Sequence, residues 1–574
     1  MLKINPSDQN TLLKCMRDSG ALIESPCNGN GTCGKCKIRI NSGKVTPITD
    51  EERVFLSEKE IENNIRLACF TVPMSEVEVD TLELSVDRGA AILNSDEIPD
   101  MEFSPKIKVE SIFMEKTSLE KQESLEEKLN TNCTLQAFRK LPLYQNENVF
   151  VVKKDNKIID VRRDNNIYGV AVDIGTTTVA VSLINLVTGE VESGDGFINP
   201  QKSFGLDVLS RIHYGMENKD GVSEMQRVFI EKLQNCIENL SRKTGIDIES
   251  VYEVVLSGNS TMIHIVLGVP LNTLGKSPYS SVFNSAVNIS AYRIGLHINE
   301  GGDIYCIPSV STYIGGDIVS GVLASGIYKT EKTVLFIDIG TNGEMVLSYK
   351  GRMYSCSCAA GPALEGMNIS CGMRAKSGAI EGIEINGDDV KIKVIGDSIP
   401  KGICGSGILE GISQGVKNRI IAKTGRLSKD SGIVETDSNG KRRMCIDKKN
   451  DIYITQSDIR QVQLCKGAIL SGIVTLINHI GIKEEDVDKV IVAGQFGKHL
   501  KPESITGTGL IPMSMREKIM YIGNSSMLGA KICLMSTYER EKMENIANNI
   551  SYIELSTCEN YEKIFTKCLQ FGGI

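Results

Sequence analysis

VLFIDIGTNGEMVLSYKG, residues 334 to 351, is an apolar run that stops at Asp338, passes through Gly340, Thr341, Asn342 and Gly343, and resumes beyond Glu344 as a second apolar run. That order predicts a strand, a tight turn and an antiparallel strand. The arrangement occurs a second time, in IYGVAVDIGTTTVAVSLINLVTGE, residues 167 to 190, with Asp173, Gly175, Thr176, Thr177 and Thr178 at the turn. Aspartate, glycine and threonine are ordinary turn formers, so one D-x-G-T carries little weight. Two copies, each behind a buried strand and with aspartates 165 residues apart at 173 and 338, imply an internal duplication.

Such a turn suits the phosphates of a nucleotide. Glycine admits close backbone approach, threonine hydroxyls and backbone N–H groups donate to anionic oxygens, and the aspartate binds Mg2+ directly or through water. Two facing turns would clamp a phosphate chain from both sides. The chain has no G-x-x-x-x-G-K-[ST] and no G-x-G-x-x-G after either strand, which excludes a P-loop and a dinucleotide fingerprint there. A third glycine motif, VIVAGQFGKHL at 490 to 500, follows another apolar strand, and Gly494 and Gly497 leave room for an adenosine. GICGSGILE, with Gly402, Gly405 and Gly407, opens a helix, and both a ligand role and plain close packing fit it.

Near the other end lies SPCNGNGTCGKC, residues 25 to 36, with Cys27, Cys33 and Cys36 spaced C-x5-C-x2-C and Cys69 following after 32 residues. Zinc ribbons use two C-x2-C knuckles. A single C-x2-C on a glycine-rich loop with one remote thiol favours a [2Fe-2S] cluster, one residue longer in the first gap than the plant-type rule. Residues 1–85, with an amphipathic helix in TLLKCMRDSGAL, a polar helix in EERVFLSEKEIENN and strands in KCKIRI and VEVDTLEL, resemble a ferredoxin-like β-grasp domain. Its opening strand is MLKI, which predicts an exposed sheet edge. Cys15, on the helix, reads as a core residue.

With 574 residues the chain exceeds one hydrophobic core. Residues 86–100 read as a linker. Residues 101–165 read as a small α/β middle domain, with a charged helix in KTSLEKQESLEEKLN and two strands in NVFVVKKDNKIIDVRR. The net charge of −8 gives no reason to expect nucleic acid. The longest apolar stretch is broken by Asp173 and several hydroxyls, MLKINPSDQN is not a signal sequence, and 17 cysteines without one do not form a disulfide framework. A cytoplasmic location without membrane contact is expected.

Residues 166–574 resemble the ATPase superfamily of actin, Hsp70 chaperones and sugar kinases, with two ribonuclease-H-like lobes at roughly 166–330 and 331–574. The whole chain is similar to the reductive activators of corrinoid proteins. The segments carrying this are GVAVDIGTTTVA, NPQKSFGLDVLSRIHY, LSGNSTMIHIVLGVP, GGDIVSGVLASG, DIGTNGE, AAGPALEGMNISCGMRA, GICGSG and VAGQFGKHL. Cys356 and Cys358 before AAGPALEG, Gln495 in the third glycine motif and the short opening strand depart from the pattern. A tail with only Cys558 and Cys568 lacks the extra cysteine-rich motifs of some relatives.

The resemblance implies an ATP-dependent enzyme that passes one electron from a [2Fe-2S] cluster to the inactive Co(II) state of a corrinoid methyltransferase protein, restoring Co(I). It implies iron ligation by Cys27, Cys33, Cys36 and Cys69. It places Mg2+ and the attacking water at Asp173 and Asp338, with Glu344 as a water-orienting candidate. Phosphate contacts fall to Gly175, Thr176, Thr177, Gly340, Thr341, Asn342 and Gly343, and adenosine contacts to Gly494 and Gly497, with Gly405 and Gly407 beside them. A homodimer and a separate electron donor are further expectations. A small-molecule kinase with an accessory iron-sulfur domain and a plain electron-transfer protein are the alternatives, since a shared fold does not fix function.

Overall fold

The computed structural model describes residues 2–5, 10–19, 23, 25, 29, 31, 34, 36–56, 58–81, 98–116, 123–437, 440–494 and 500–572. The expected linker at 86–100 falls mostly outside them.

Four antiparallel strands open the chain, in the order Leu2–Ile4, Val77–Thr81, Lys37–Ser42, Ile65–Leu67, so the first strand does form a sheet edge. The helix Leu12–Asp18 buries Leu12, Leu13 and Met16 against this sheet, with Cys15 partly covered beside them. The polar helix expected in EERVFLSEKEIENN is two short ones, Asp50–Arg53 and Glu58–Glu62. The break has a cause. Thr49 caps the first turn, and Glu52 then points inward, where it is fully buried, pairs with Arg66 through two 2.8 Å contacts and accepts from Leu67 N at 2.7 Å. A buried carboxylate needs that many partners, and the arrangement locks the helical turn onto the strand carrying Arg66.

The next sheet orders Ile107–Met114, Glu147–Lys154, Lys157–Arg162 and Asn132–Cys133. Of the charged helix expected across 116–130, the described part is Leu125–Leu129, started by a Ser124–Glu127 capping box. This unit is fastened to the segment that follows it. Buried Asp160 accepts from Tyr252 Oη at 2.6 Å and from Asn299 at 3.3 Å and pairs with Lys140 at 2.6 Å, while Lys154 meets Asp303 at 2.8 Å.

Two six-stranded sheets follow, and they repeat one topology. In the first, Val191–Ile198, Thr178–Asn185 and Tyr168–Ile174 form an antiparallel meander that continues in parallel into Val251–Gly258 and Asp303–Cys306, with Val287–Ser290 at the edge. In the second, Arg352–Cys358, Gly343–Tyr349 and Val334–Ile339 form the meander, Lys489–Ala493 and Ile519–Gly523 continue it in parallel, and Ile550–Tyr552 is added beyond the meander. Two small three-stranded sheets and the helices Gly405–Lys417 and Gln456–Ile480 are inserted before the second sheet's Lys489–Ala493 strand.

Strand period decides where the aspartates go. In the first lobe Val170, Val172 and Ile174 pack on the helix Gly221–Thr244, and Ala171 faces the core shared between the lobes. Asp173 has the parity of Ala171. In the second lobe Leu335, Ile337 and Ile339 face away into that lobe's own core, whereas Val334 and Phe336 face the shared one, and Asp338 has their parity. Two helices, Gly316–Ser325 and Ser525–Met535, cross in that shared core. A Cβ on Gly529 would lie 2.4 Å from Ser320 Cβ, so the crossing tolerates no side chain there.

Candidate functional site

The first turn is held from behind. Asn199 donates to the Gly175 carbonyl at 2.9 Å and, through its backbone N–H, to the Thr177 carbonyl at 3.0 Å. Arg211, fully buried, donates to the Thr176 carbonyl between them and to the Gly205 carbonyl at 2.9 Å. Burial brings its guanidinium down to about 9. Three successive carbonyls of the turn are thereby taken up from behind. Asn259, which caps the helix Ser260–Val266, stands 3.5 Å from Thr176 Oγ1.

The second turn is one residue tighter. Ile339 pairs with Gly343 and Asp338 with Glu344, so aspartate and glutamate stand side by side on one face. Asp173 has Ala180 opposite it, and the duplication is therefore chemically asymmetric. Gly340 N–H donates to the Asn342 carbonyl at 2.9 Å and Gly361 N–H to the Thr341 carbonyl at 2.8 Å.

Four carboxylates share the space between the turns: Asp173, Asp338, Glu344 and Asp317, the last on the first turn of the helix Gly316–Ser325. Burial, joined by the charge of Asp173, pushes Asp338 up to about 7. Burial and then Asp338 and Asp173 bring Asp317 to about 7 as well. Glu344 is raised well above the usual carboxylate range by burial and by Asp317 and Asp338. Asp173 is raised by burial, but Ser526 Oγ at 2.6 Å and Asn524 Nδ2 at 2.8 Å donate to its two oxygens and favour the charged form. The side chains retain some accessible surface at the cleft, so a cation can reach them. Among the described residues no three His, Cys, Asp or Glu side chains converge as a ready metal-ligand set. Repelling carboxylates that do not converge as a set fit a hydrated Mg2+, which keeps several waters and takes only one or two protein oxygens.

Glu365 stands between the turns. Thr341 Oγ1 donates to its Oε1 at 2.7 Å and Thr177 Oγ1 to its Oε2 at 3.3 Å.

Gly494, with φ +96°, ends the strand Lys489–Ala493, and a Cβ there would come within 2.9 Å of the Ile339 carbonyl and 3.0 Å of Asp338 Oδ1. The backbone therefore passes directly beside Asp338, a cradle only glycine can form. Gly497 lies outside the described residues. Gly405 opens the helix Gly405–Lys417, which packs on the turn Pro362–Glu365. At Gly407 the reason for glycine is packing, since a Cβ would fall 2.2 Å from the Ile380 carbonyl oxygen.

In the N-terminal unit Cys36, buried, precedes the strand Lys37–Ser42, and Cys69 follows Ile65–Leu67. Ala68 N–H donates to the Cys36 carbonyl at 2.8 Å, joining the two. Cys27 and Cys33 lie outside the described residues. Gly29, Gly31 and Gly34 have φ of +92°, +71° and +64°, and a Cβ at Gly31 would strike the Phe70 ring at 2.5 Å, at Gly34 the Phe55 ring at 2.7 Å. Three left-handed glycines, two of them pressed on aromatic rings, fit a thiolate cradle that brings backbone N–H groups to sulfur. Cys356 and Cys358 are elsewhere, buried toward the helix Gln456–Ile480, and burial pushes both thiols up, the condition of packing cysteines. Asp317, Glu365, Asn199, Arg211, Asn524 and Ser526 had no assigned role in the sequence, although four of them lie in segments that carry the resemblance. Among the described residues no helix is long and apolar enough to cross a membrane.

Three family profiles match the chain in order: the 2Fe-2S iron-sulfur cluster binding domain at residues 3–74, the RACo middle region at 168–330 and the C-terminal domain of RACo, the ASKHA domain, at 332–573. The profile called the middle region is thus the first of the two repeated lobes. The corrinoid activation enzyme RamQ of Eubacterium limosum is 32% identical over 447 residues, 74% of each chain. The [Co(II) methylated amine-specific corrinoid protein] reductase of Methanosarcina barkeri is 25% identical over 432 residues, 69% of this chain and 76% of that one. A solved structure, a reductive activator for corrinoid, iron-sulfur protein, superposes over 100% of this chain and 99% of its own with a TM-score of 0.75 and 30% identity.

Proposed function

The chain belongs to the family of corrinoid-activating enzymes, and we propose that it is an ATP-dependent reductive activator that returns a corrinoid protein from Co(II) to Co(I). The observation that carries this reading is the pairing, in one chain, of a 2Fe-2S domain with two repeated turns whose aspartates both face the core shared by two lobes.

The cluster, when bound, supplies the single electron. Cys27, Cys33, Cys36 and Cys69 hold it. A plant-type cluster lies near about −400 mV, and every roughly 59 mV of deficit against the cobalt couple is a factor of ten in a one-electron equilibrium. The remaining chain offsets that deficit through nucleotide. Gly175, Thr176 and Thr177 on one lobe and Gly340, Thr341, Asn342 and Gly343 on the other would hold the phosphates, and Gly494 and Gly497 would lie along the adenosine. Asp173, whose two oxygens accept from Ser526 and Asn524, is the better partner for Mg2+. Asp338, close to neutral pH in its affinity for a proton, is suited to accept one from the attacking water, with Glu344 orienting that water. Differences in environment between paired acids are the usual basis of such a division of roles. Lobe closure then favours one cobalt state of the partner over the other, and only such a differential affinity moves the redox equilibrium. The protein works in the cytoplasm as a homodimer and takes its electrons from a separate donor.

The test is to mix the protein with a Co(II) corrinoid protein and a chemical reductant and to follow Co(I) absorbance with and without ATP. ATP-dependent formation of Co(I) is expected. ATP turnover that only appears with an added hydroxylic phosphoacceptor, and no Co(I), would replace this reading by that of a kinase.

A further inference from the structure

One threonine of each turn is spent on the same side chain. A hydroxyl has a single hydrogen to donate, and Thr177 and Thr341 each give theirs to Glu365. Neither hydrogen is then available to a phosphate, and a carboxylate between the turns adds like-charge repulsion toward one. The two bonds are not equivalent. Glu365 is built into the second lobe: its turn, Pro362–Glu365, is bounded by Gly361 and Gly366, at φ +76° and +74°. Gly361 N–H is bonded to the Thr341 carbonyl, and a Cβ on Gly366 would meet the Met373 carbonyl oxygen at 2.3 Å. The 2.7 Å bond from Thr341 therefore lies within one lobe and aims the carboxylate, while the 3.3 Å bond from Thr177 crosses to the other.

We infer that Glu365 is an interlobe latch: without nucleotide it occupies one hydroxyl donor of each turn and ties Thr177 to the second lobe, and a polyphosphate must displace it from Thr177 before the turns can clamp. The inference rests on the reading of the turns as a phosphate site and adds to it a competing group within the chain. A displaceable carboxylate makes the interlobe contact depend on whether phosphate is bound, and it lowers the apparent affinity for nucleotide by the fraction of molecules that are unlatched. The latch also predicts different effects of charge and reach. Glu365→Asp keeps the charge on a side chain one methylene shorter, which cannot span both threonines, and Glu365→Gln keeps the reach without the charge.

The experiment uses the full chain in two measurements. Hydrogen exchange without nucleotide reads the turn at Gly175–Val179, and equilibrium titration with Mg-ATP reads affinity. In the latch account the turn exchanges faster in Glu365→Ala and Glu365→Asp than in the wild type, and ATP binds Glu365→Ala roughly tenfold more tightly. Glu365→Gln binds more tightly than the wild type with a smaller change in exchange. Unchanged exchange in Glu365→Ala and Glu365→Asp overturns the latch, whatever the titration shows. Tenfold weaker ATP binding by Glu365→Ala overturns it too, since Glu365 would then be a contact of the bound nucleotide. Wild-type protein that binds no ATP, with exchange that does respond to Glu365→Ala, instead removes the nucleotide reading and leaves an interlobe bond without a ligand to break it, which also overturns the latch as stated.

Discussion

Replacing Asp338 by asparagine should make the nucleotide-free protein more stable. The carboxyl's ordinary value of 3.8 is moved to about 7, first by burial and then by the charge of Asp173. Below about pH 4 the proton is bound in both folded and unfolded chains, and the environment has no effect on stability. Between about pH 4 and 7 the unfolded chain releases a proton that the folded one retains, so stability falls as pH rises. Above about pH 7 the penalty is complete. Roughly three pH units at about 1.4 kcal/mol each make it on the order of 4 kcal/mol. Asparagine has nearly the same shape and carries no charge, and it removes this penalty. In a unit of this size a gain of that order corresponds to several degrees or more of midpoint temperature. Thermal unfolding in EDTA at about pH 8 and about pH 5.5 is the assay. Asp338→Asn should exceed wild type at the higher pH, by less at the lower, and added Mg2+ should narrow the gap because a cation relieves the repulsion only where the charge remains. An equal gain at both pH values, or a loss at the higher one, would show that the cluster of acids is not the strained element described above.

Three further outcomes follow from individual contacts. Cys33→Ser should remove or alter the [2Fe-2S] spectrum of anaerobically purified protein while Cys15→Ser, whose thiol sits with the helix's core contacts, leaves it intact; stoichiometric zinc in place of iron and sulfide would contradict the ligand assignment. Gly407→Ala places a methyl 2.2 Å from a strand carbonyl and should cost about 1–3 kcal/mol in denaturant unfolding with the nucleotide Kd of the folded fraction unchanged, whereas lost binding at full stability would make Gly407 a ligand residue. Arg540→Met leaves buried Glu253 without its 2.8 Å partner and should cost about 3–5 kcal/mol, part of which returns when Glu253→Gln is added; additive effects of the two substitutions would mean the pair is not coupled.

The duplication was legible because it is written twice in local order. Each copy is an apolar run that stops at an aspartate, and strand period alone sends Asp173 and Asp338 to the face opposite Ile174 and Ile339. What completes the site comes from single polar residues with no period of their own. Asp317 follows a Gly-Gly pair at a helix start, Glu365 rides on a short turn between two left-handed glycines, and Asn524 reaches Asp173 across 351 positions. The crossing of the helices Gly316–Ser325 and Ser525–Met535 brings Asp317 and Asn524 to the site, and packing on the helix Gly405–Lys417 brings Glu365. The pairing of Glu344 with Asp338 was hidden for a related reason, since it depends on a turn one residue shorter than the one that sets Ala180 opposite Asp173. In the N-terminal unit, a run of polar residues gave no sign that Glu52 would turn inward and split one helix into two. The four-cysteine spacing needed no fold to be read.

The most direct test of the whole account is the extent of cobalt reduction at a fixed potential. Co(II) corrinoid protein is equilibrated with the activator and a redox buffer near the potential of the cluster, and the Co(I) fraction is read by absorbance with ATP, with ADP and with neither. The account requires a larger Co(I) fraction with ATP in the wild type, no such gain in Asp338→Asn with its cluster spectrum intact, and no electron transfer in Cys33→Ser with its ATP binding intact. A Co(I) fraction that is the same with and without ATP, or that rises with ATP in Asp338→Asn as it does in the wild type, would contradict it.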